Sequence, residues 1–150
     1  MIHYKKGDIL QATEDVIAHG CNCVGGFGSG VAGQIAKKWP NVRNAYLRQH
    51  NSHGWELGFV QYVDVETEYY KNKIIANCAT QDEYMPRGVR HADYKAIETA
   101  MTRVRDYAEH NGFSIAIPKI GAGLAGGDWK VIEDILEEIF DEYDITVYEL

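Results

Sequence analysis

The sequence predicts an α/β fold: one three-layer α/β/α domain around a mixed, mostly parallel central sheet. Short apolar segments rich in β-branched residues alternate along the chain with longer segments of helical periodicity. This alternation is typical of a sheet that is covered by helices on both faces. The length of 150 residues fits one domain, expected over residues 1–150, and no linker, repeat or low-complexity segment interrupts it.

Six segments are predicted to be strands, and residues 16–21 are the clearest of them. Because this segment is almost entirely apolar, other elements should cover both of its faces. The remaining strands are expected at residues 2–4, 59–65, 73–77, 113–117 and 145–148, with a polar turn at residues 66–68. Ligands of such sheets bind beyond the carboxyl ends of the strands, so the loops that follow the strands are the places to search.

Four helices are expected, at residues 31–38, 41–49, 92–110 and 128–140. The first should end before Pro40, because proline disfavours helical backbone in the residue that precedes it. Asn41 is a candidate cap for the second helix, and Gly112 is a typical residue to follow the end of the third. Asp128 stands where a cap for the fourth helix belongs.

Both long helices are predicted to pack through one apolar face, because apolar residues recur in them at spacings of three and four. In the third helix this face consists of Ala96, Ala100, Val104 and Tyr107. In the fourth helix it consists of Val131, Ile132, Ile135, Leu136 and Ile139, with acidic residues on the other side.

Charge and cysteine content exclude several classes of function. A formal net charge of −7 argues against a nucleic-acid groove, because phosphate-backbone affinity comes largely from clustered lysine and arginine. Three cysteines make a poor disulfide framework, and Cys21 and Cys23 have no second pair at zinc-finger spacing, so we expect no metal site. No segment has the length of a membrane helix or the character of a signal peptide, so we expect a cytoplasmic protein with no membrane partner.

Two glycine-rich segments, each after a predicted strand and before a predicted helix, are the candidate binding elements. We name residues 22–32 the first glycine loop and residues 121–127 the second glycine loop. Without a Cβ, glycine lets the main chain approach a ligand closely, and successive N–H groups at a helix N-terminus form an anion site. Two such loops suit a diphosphate held from two sides. The alternative is that the glycines serve tight turns only; neither a P-loop nor a dinucleotide fingerprint fits the spacing.

Five separated motifs together resemble the macrodomain family, over essentially the whole chain and in order. They are Gly7-Asp8-Ile9-Leu10, Ala18-His19-Gly20-Cys21-Asn22-Cys23, Gly28-Ser29-Gly30-Val31-Ala32, Ile117-Pro118-Lys119-Ile120-Gly121-Ala122-Gly123-Leu124 and the final segment at residues 145–150. The Cys-Asn-Cys run and the final segment resemble the branch that holds the ADP-ribose 1″-phosphate phosphatases and the terminal ADP-ribose glycohydrolases.

The resemblance implies a ligand, ADP-ribose or ADP-ribose 1″-phosphate, and a set of residues that bind it. Asp8 and the Ile9 main chain would read the adenine, Leu150 would pack on it, Asn22 would bind the distal ribose and Phe27 would cover that ribose. The diphosphate would be held by Gly28, Ser29, Gly30, Val31, Pro118, Ile120, Gly121, Ala122, Gly123 and Leu124. Structural alternatives stay open for four of these residues: a turn for Asp8, a loop cap for Asn22, strand-edge packing for Leu150 and loop packing for Phe27.

The resemblance also implies that His19 and Asn22 are catalytic, in hydrolysis of ADP-ribose 1″-phosphate to ADP-ribose and phosphate without a cofactor. Histidine titrates near neutrality and can act as acid, base or nucleophile, although a structural histidine in the sheet is the alternative. The glycohydrolase branch pairs a lysine with an aspartate, whereas residues 76–80 contain no lysine here and Ala125 stands at the aspartate position. Two other functions stay open: a binding module without turnover, and removal of ADP-ribose from a macromolecule.

Overall fold

A computed structural model describes residues 1–67, 72–86 and 88–150, and these ranges contain six strands and four α-helices. The strands are β1 (Ile2–Lys6), β2 (Val16–Cys21), β3 (Val60–Val65), β4 (Lys73–Ala79), β5 (Ile115–Ile117) and β6 (Ile145–Glu149). The helices are α1 (Gly30–Lys38), α2 (Pro40–Ser52), α3 (Tyr94–Asn111) and α4 (Trp129–Ile139), and a short 3₁₀ turn covers Ile9–Gln11.

The strands form one mixed sheet in the order β1-β6-β5-β2-β4-β3. Only the pairing of β3 with β4 is antiparallel among the strand pairs of the described residues, so the predicted fold class is confirmed. Strand β2 lies between β4 and β5, and Val16 is aligned with both Ile74 and Ile115. The carboxyl ends of β2 and β5 therefore meet at the same edge of the sheet, which brings the two glycine loops together.

Two apolar clusters, one on each face of the sheet, hold the three layers together. Strand β2 contributes to both, because successive side chains of a strand point to opposite faces. Val16 and Ala18 pack in the cluster under α3 and α4, whereas Ile17 and Cys21 pack in the cluster under α1 and α2. Every residue of β2 except Gly20 is buried, as the apolar character of this segment predicts.

All four helix starts differ from the predicted ones by one or two residues, and those of α2 and α3 have a clear physical cause. Helix α2 begins at Pro40, not at Asn41, because proline fits the first helical position, whose N–H has no partner within the helix. Asn41 therefore lies inside the helix and is not its cap; its side-chain amide donates to the carbonyl of Asp64. Helix α3 begins at Tyr94, because the Asp93 side chain accepts from the N–H of Ala96 and caps it.

Helix ends and strand bounds shift for similar reasons. Gly112 follows α3 as predicted and adopts a left-handed conformation with φ of 69°. Phe113 does not belong to β5, because its N–H donates to the carbonyl of Ala108 and so completes the end of α3. The predicted strand at 73–77 extends to Ala79, the strand at 59–65 begins one residue later, and part of the predicted turn at 66–68 lies outside the described residues.

Helix α4 confirms its predicted cap, since the Asp128 carboxylate accepts from the N–H of Lys130. Its predicted apolar face is wrong at one position: Val131 is 38% exposed, whereas Ile132 and Leu136 are fully buried. The end of the buried face is completed by Phe140, which follows the helix and is also fully buried. None of the helices in the described ranges is both long and apolar enough to span a membrane.

Helix α4 offers a matched test of this packing. We expect Leu136→Ala to lower the free energy of unfolding by about 2–5 kcal/mol, because it removes a buried side chain and leaves a cavity. Val131→Ala, at an exposed position of the same helix, should change it by less than about 0.5 kcal/mol. Urea unfolding of both variants measures the difference; equal losses would contradict the described orientation of α4.

Candidate functional site

Two adjoining cavities form one cleft along the edge where β2 and β5 end. The first cavity, of about 310 Å³, lies between the two glycine loops. The second, of about 600 Å³, lies between α1 and the ends of β1 and β6. Both are bordered by Gly30, Val31, Pro118 and Lys119, so they are continuous. The cleft is long and has two chemically different ends.

The first glycine loop presents unpaired main-chain donors to the cleft. In the part of the chain that the structure describes, the N–H groups of Gly28, Ser29, Gly30, Val31 and Ala32 donate to no protein acceptor. These residues lead into α1, and the N–H groups of a first helical turn have no partner within the helix. The side chain of Ser29, at the cap position, does not satisfy them either. The helix dipole adds to their attraction for an anion.

The second glycine loop presents a similar set on the opposite wall of the cleft. The N–H groups of Gly121, Gly123, Leu124 and Ala125 donate to no acceptor among the described residues. The two loops are close: a Cβ placed on Gly30 would lie 3.7 Å from Cδ1 of Leu124. Gly30 has φ of +59°, a left-handed conformation that suits glycine. Residues with unpaired N–H groups thus border the cleft on two sides.

The second cavity combines apolar surface with a carboxylate. Ile9 and Leu150 supply apolar surface at its border, and Asp8 supplies a carboxylate. One oxygen of that carboxylate accepts from the N–H of Leu10 at 2.9 Å and caps the 3₁₀ turn. Asp8 therefore has the structural role that its position after Gly7 suggested, and a carboxylate still has further acceptor capacity for a ligand.

Asn22 organises the first glycine loop through nearly all of its hydrogen-bonding capacity. Its Oδ1 accepts from the N–H groups of Val24 and Gly26 and from the Tyr46 hydroxyl, at 3.0, 3.1 and 2.8 Å. Its Nδ2 donates to the Gly26 carbonyl at 2.7 Å. One amide hydrogen is left for a ligand, since a side-chain amide has two donors. Asn22 borders the first cavity, so it combines the loop-capping role with one free donor.

His19 borders the same cavity but is almost completely buried, with 1% of its surface exposed. Its Nε2 lies 2.6 Å from Oδ1 of Asn77, whose Nδ2 donates in turn to Oε1 of Gln61. Because an amide oxygen only accepts, Nε2 carries the proton and Nδ1 keeps a lone pair. Nδ1 is buried and has no hydrogen-bond partner within the described residues.

Burial lowers the pKa of His19 to about 4, although its hydrogen bond to Asn77 acts in the opposite direction. Removing an imidazolium from water costs more than removing a neutral ring, so the charged form is disfavoured. His19 is therefore neutral at physiological pH. As strand alternation predicts, it points to the same side as Cys21, whose Sγ lies 3.9 Å from Nε2.

Two of the predicted ligand residues do not border the cleft. Phe27 is 3% exposed and packs between His19 and Tyr46, with ring centroids 5.5 and 4.9 Å away. This placement corresponds to the packing alternative for Phe27. Ala122 directs its N–H to the carbonyl of Lys119. The other predicted residues all border the cleft, namely Asp8, Ile9, His19, Asn22, Gly28, Ser29, Gly30, Val31, Pro118, Ile120, Gly121, Gly123, Leu124 and Leu150.

Several residues at the cleft were not singled out from the sequence. Gln81 and Tyr84 border the first cavity, Gln34 and Tyr148 border the second, and Lys119 borders both. Lys119 was within a quoted motif, and its Nζ lies 2.7 Å from a carboxylate oxygen of Glu149. Gln81 and Tyr84 follow β4, the neighbour of β2, and this position at a strand end was the available signal.

Comparison with known proteins points to one family. A family model described as Macro domain matches residues 18–136. The ADP-ribose 1″-phosphate phosphatase of Candida albicans is 30% identical over 158 residues, which cover 99% of this chain and 99% of that protein. The DNA ADP-ribosyl glycohydrolase of Mycobacterium tuberculosis is 29% identical over 152 residues, which cover 99% of this chain and 42% of that protein.

A solved structure agrees with these sequence matches. The macrodomain of Mycobacterium tuberculosis DarG superposes with a TM-score of 0.87 at 25% identity, covering 100% of this chain and 98% of that chain. The resemblance based on five sequence motifs is thereby confirmed. Because the family model spans well over half of the sequence, this chain belongs to the Macro domain family.

Proposed function

We propose that this protein binds ADP-ribose and hydrolyses ADP-ribose 1″-phosphate to ADP-ribose and phosphate. The observation that carries the proposal is the pair of facing loops with unpaired main-chain N–H groups in the middle of a two-ended cleft. A diphosphate between two unlike groups is the ligand chemistry that this arrangement suits. The name of the Candida albicans relative, a phosphatase of 30% identity, supports the choice of substrate.

Each part of ADP-ribose is assigned to a different part of the cleft. The adenine belongs in the second cavity, where Asp8 can accept from its amino group and Ile9 and Leu150 supply apolar surface. The diphosphate belongs between the loops, where neutral main-chain donors hold it despite the net charge of −7, since their field is local. The distal ribose belongs in the first cavity, within reach of the remaining amide hydrogen of Asn22.

The reaction needs a base, and His19 is the group that we assign to this role. Water attacks the phosphorus while His19 Nδ1 accepts one of its protons. The ester bond to the distal ribose oxygen breaks, and His19 passes that proton to the departing oxygen, which leaves as a hydroxyl group. In the free protein His19 cannot act as an imidazolium acid at neutral pH, because burial holds its pKa at about 4. A bound phosphate would raise that pKa, since a nearby negative charge favours the imidazolium. Main-chain N–H groups would stabilise the charge that develops on the phosphate.

Removal of ADP-ribose from a macromolecule is the second candidate, favoured by the similarity to the Mycobacterium tuberculosis glycohydrolase. Against it, this chain lacks both residues that the glycohydrolase branch pairs. Residues 76–80, at the end of β4, contain no lysine, and Ala125 stands at the aspartate position of the second glycine loop.

We place the protein in the cytoplasm, because its three cysteines are unpaired, as is typical of a reducing compartment.

Titration calorimetry tests binding directly. ADP-ribose should bind more tightly than AMP or NAD, with a negative heat-capacity change from apolar burial. Gly123→Ala should weaken ADP-ribose binding at least about tenfold. The added methyl group would meet no protein atom within 4 Å, so the fold should be kept, and Gly123 borders the cavity in which we propose that the diphosphate binds. Val131→Ala is the control variant, and absence of any heat with wild-type protein would remove the proposal.

Release of phosphate from ADP-ribose 1″-phosphate tests the role of His19. We expect His19→Gln to lower kcat by about 100-fold or more, the range typical of a lost general base. The Kd for ADP-ribose should stay within about threefold, because glutamine can keep a hydrogen bond to Asn77. Unchanged kcat would exclude His19 from the chemistry. Binding without turnover in the wild-type protein would instead identify a binding module.

Acid should destabilise the protein through His19. The unfolded chain binds a proton on this residue below pH 6.5, whereas the folded chain does so only near pH 4. The stability contributed by the buried neutral ring is present above pH 6.5 and lost as the pH falls to about 4, by about 3 kcal/mol in total. Urea unfolding at pH 7.5, 5.5 and 4.5 should show a smaller loss for His19→Gln than for wild type. Parallel losses would contradict the buried neutral state.

A further inference from the structure

We propose that Tyr84 packs on the distal ribose of the ligand and thereby selects ligands that carry this second sugar. The inference rests on the proposed function, which places that ribose in the first cavity. It assigns to Tyr84 the covering role for which the sequence had suggested Phe27.

The segment that carries Tyr84 is tied to the cleft on both sides of that residue. The carbonyl of Asp82 accepts from the N–H of Cys23, in the first glycine loop, at 2.9 Å. The Gln81 side chain donates to the carbonyl of Glu83 at 2.6 Å. Further along, a ring nitrogen of His91 lies 2.7 Å from the carbonyl of Pro86. Tyr84 is therefore held beside the first glycine loop by bonds of its neighbours.

The ring of Tyr84 lies against Gly26 at the wall of the first cavity. A Cβ placed on Gly26 would lie 2.6 Å from Cε1 of Tyr84 and 3.0 Å from Nδ2 of Asn22. Any side chain at position 26 would thus collide with the ring, so glycine permits this close approach. The ring and the Asn22 amide converge on the same point of the loop, one apolar and the other able to donate to a hydroxyl.

Tyr84 and Phe27, the two aromatic residues considered for this role, differ in how much of their surface is exposed. Tyr84 is 49% exposed, so a large part of its ring is available to a ligand. Phe27 is 3% exposed and already packs between His19 and Tyr46. A ligand could contact Phe27 only by displacing this packing, whereas Tyr84 offers apolar surface that is in water in the free protein.

The flat aromatic ring of Tyr84 suits a contact with the distal ribose. One face of a ribose carries C–H groups and packs on an aromatic face, while the tyrosine hydroxyl stays in water. ADP keeps the adenine and the diphosphate but has no distal sugar. The contact with Tyr84 should therefore contribute to binding of ADP-ribose and contribute nothing to binding of ADP.

The test compares the affinities for ADP-ribose and ADP by titration calorimetry in wild type, Tyr84→Ala, Tyr84→Phe and Phe27→Leu. We expect Tyr84→Ala to weaken ADP-ribose binding about tenfold with ADP binding unchanged. Tyr84→Phe should retain the wild-type ratio of the two affinities, because the ring and not the hydroxyl makes the contact. Phe27→Leu should lower Tm and keep the ratio.

Each outcome has one meaning. An unchanged ratio in Tyr84→Ala would overturn the inference, as would loss of the ratio in Phe27→Leu at an unaltered Tm. A loss of the ratio in Tyr84→Phe would overturn the packing role, since the hydroxyl would then be the recognised group. If wild-type protein binds neither ligand, the proposed function fails, and that result is distinct from failure of the Tyr84 assignment.

Discussion

Main-chain hydrogen bonding is the constraint on which the site depends. Each backbone N–H group needs an acceptor, from protein, water or ligand, and strands and helices satisfy most of them. The two glycine loops leave a group of N–H donors unpaired at one place, because the ends of β2 and β5 are neighbours in a parallel sheet. The fold itself therefore produces the concentration of donors, and the side chains around it refine what is bound.

The surroundings of the first glycine loop show how side chains support this main-chain site. Asn22 and Tyr46 fix the loop from inside, and the carbonyl of Asp82 fixes it from the neighbouring segment. A chain of aromatic contacts continues inward from His19 through Phe27, Tyr46 and Trp55. These contacts hold residues 22–27 of the loop in place before a ligand binds, and such preorganisation lowers the entropy lost on binding.

The sequence could predict the layers and the two loops because these depend on local pattern. A nearly continuous apolar run identified β2, and apolar residues at spacings of three and four identified the buried face of α4. Local hydrogen bonding explains the caps at Asp128 and Gly112. The error at Asn41 also has a local cause, since Pro40 competes for the first position of α2.

The rest of the site depends on contacts between distant segments, which periodicity does not report. Asn22 and Tyr46 are 24 residues apart, and no spacing rule links them. The burial of Phe27 and the exposure of Tyr84 follow from how separate loops pack. The tautomer of His19 likewise depends on Asn77, which is aligned with it only through the pairing of β2 with β4.

The second cavity is assembled from residues near both ends of the sequence. Lys6 ends β1 and Asp8 follows that strand. Tyr148 belongs to β6, which pairs with β1 in parallel, and Leu150 follows β6. The amino group of Met1 lies at the opposite edge of the sheet, where it bonds the carbonyls of Phe140 and Tyr143. A fusion partner or affinity tag joined after Leu150 would emerge at the border of the second cavity, whereas one joined before Met1 would leave that border clear.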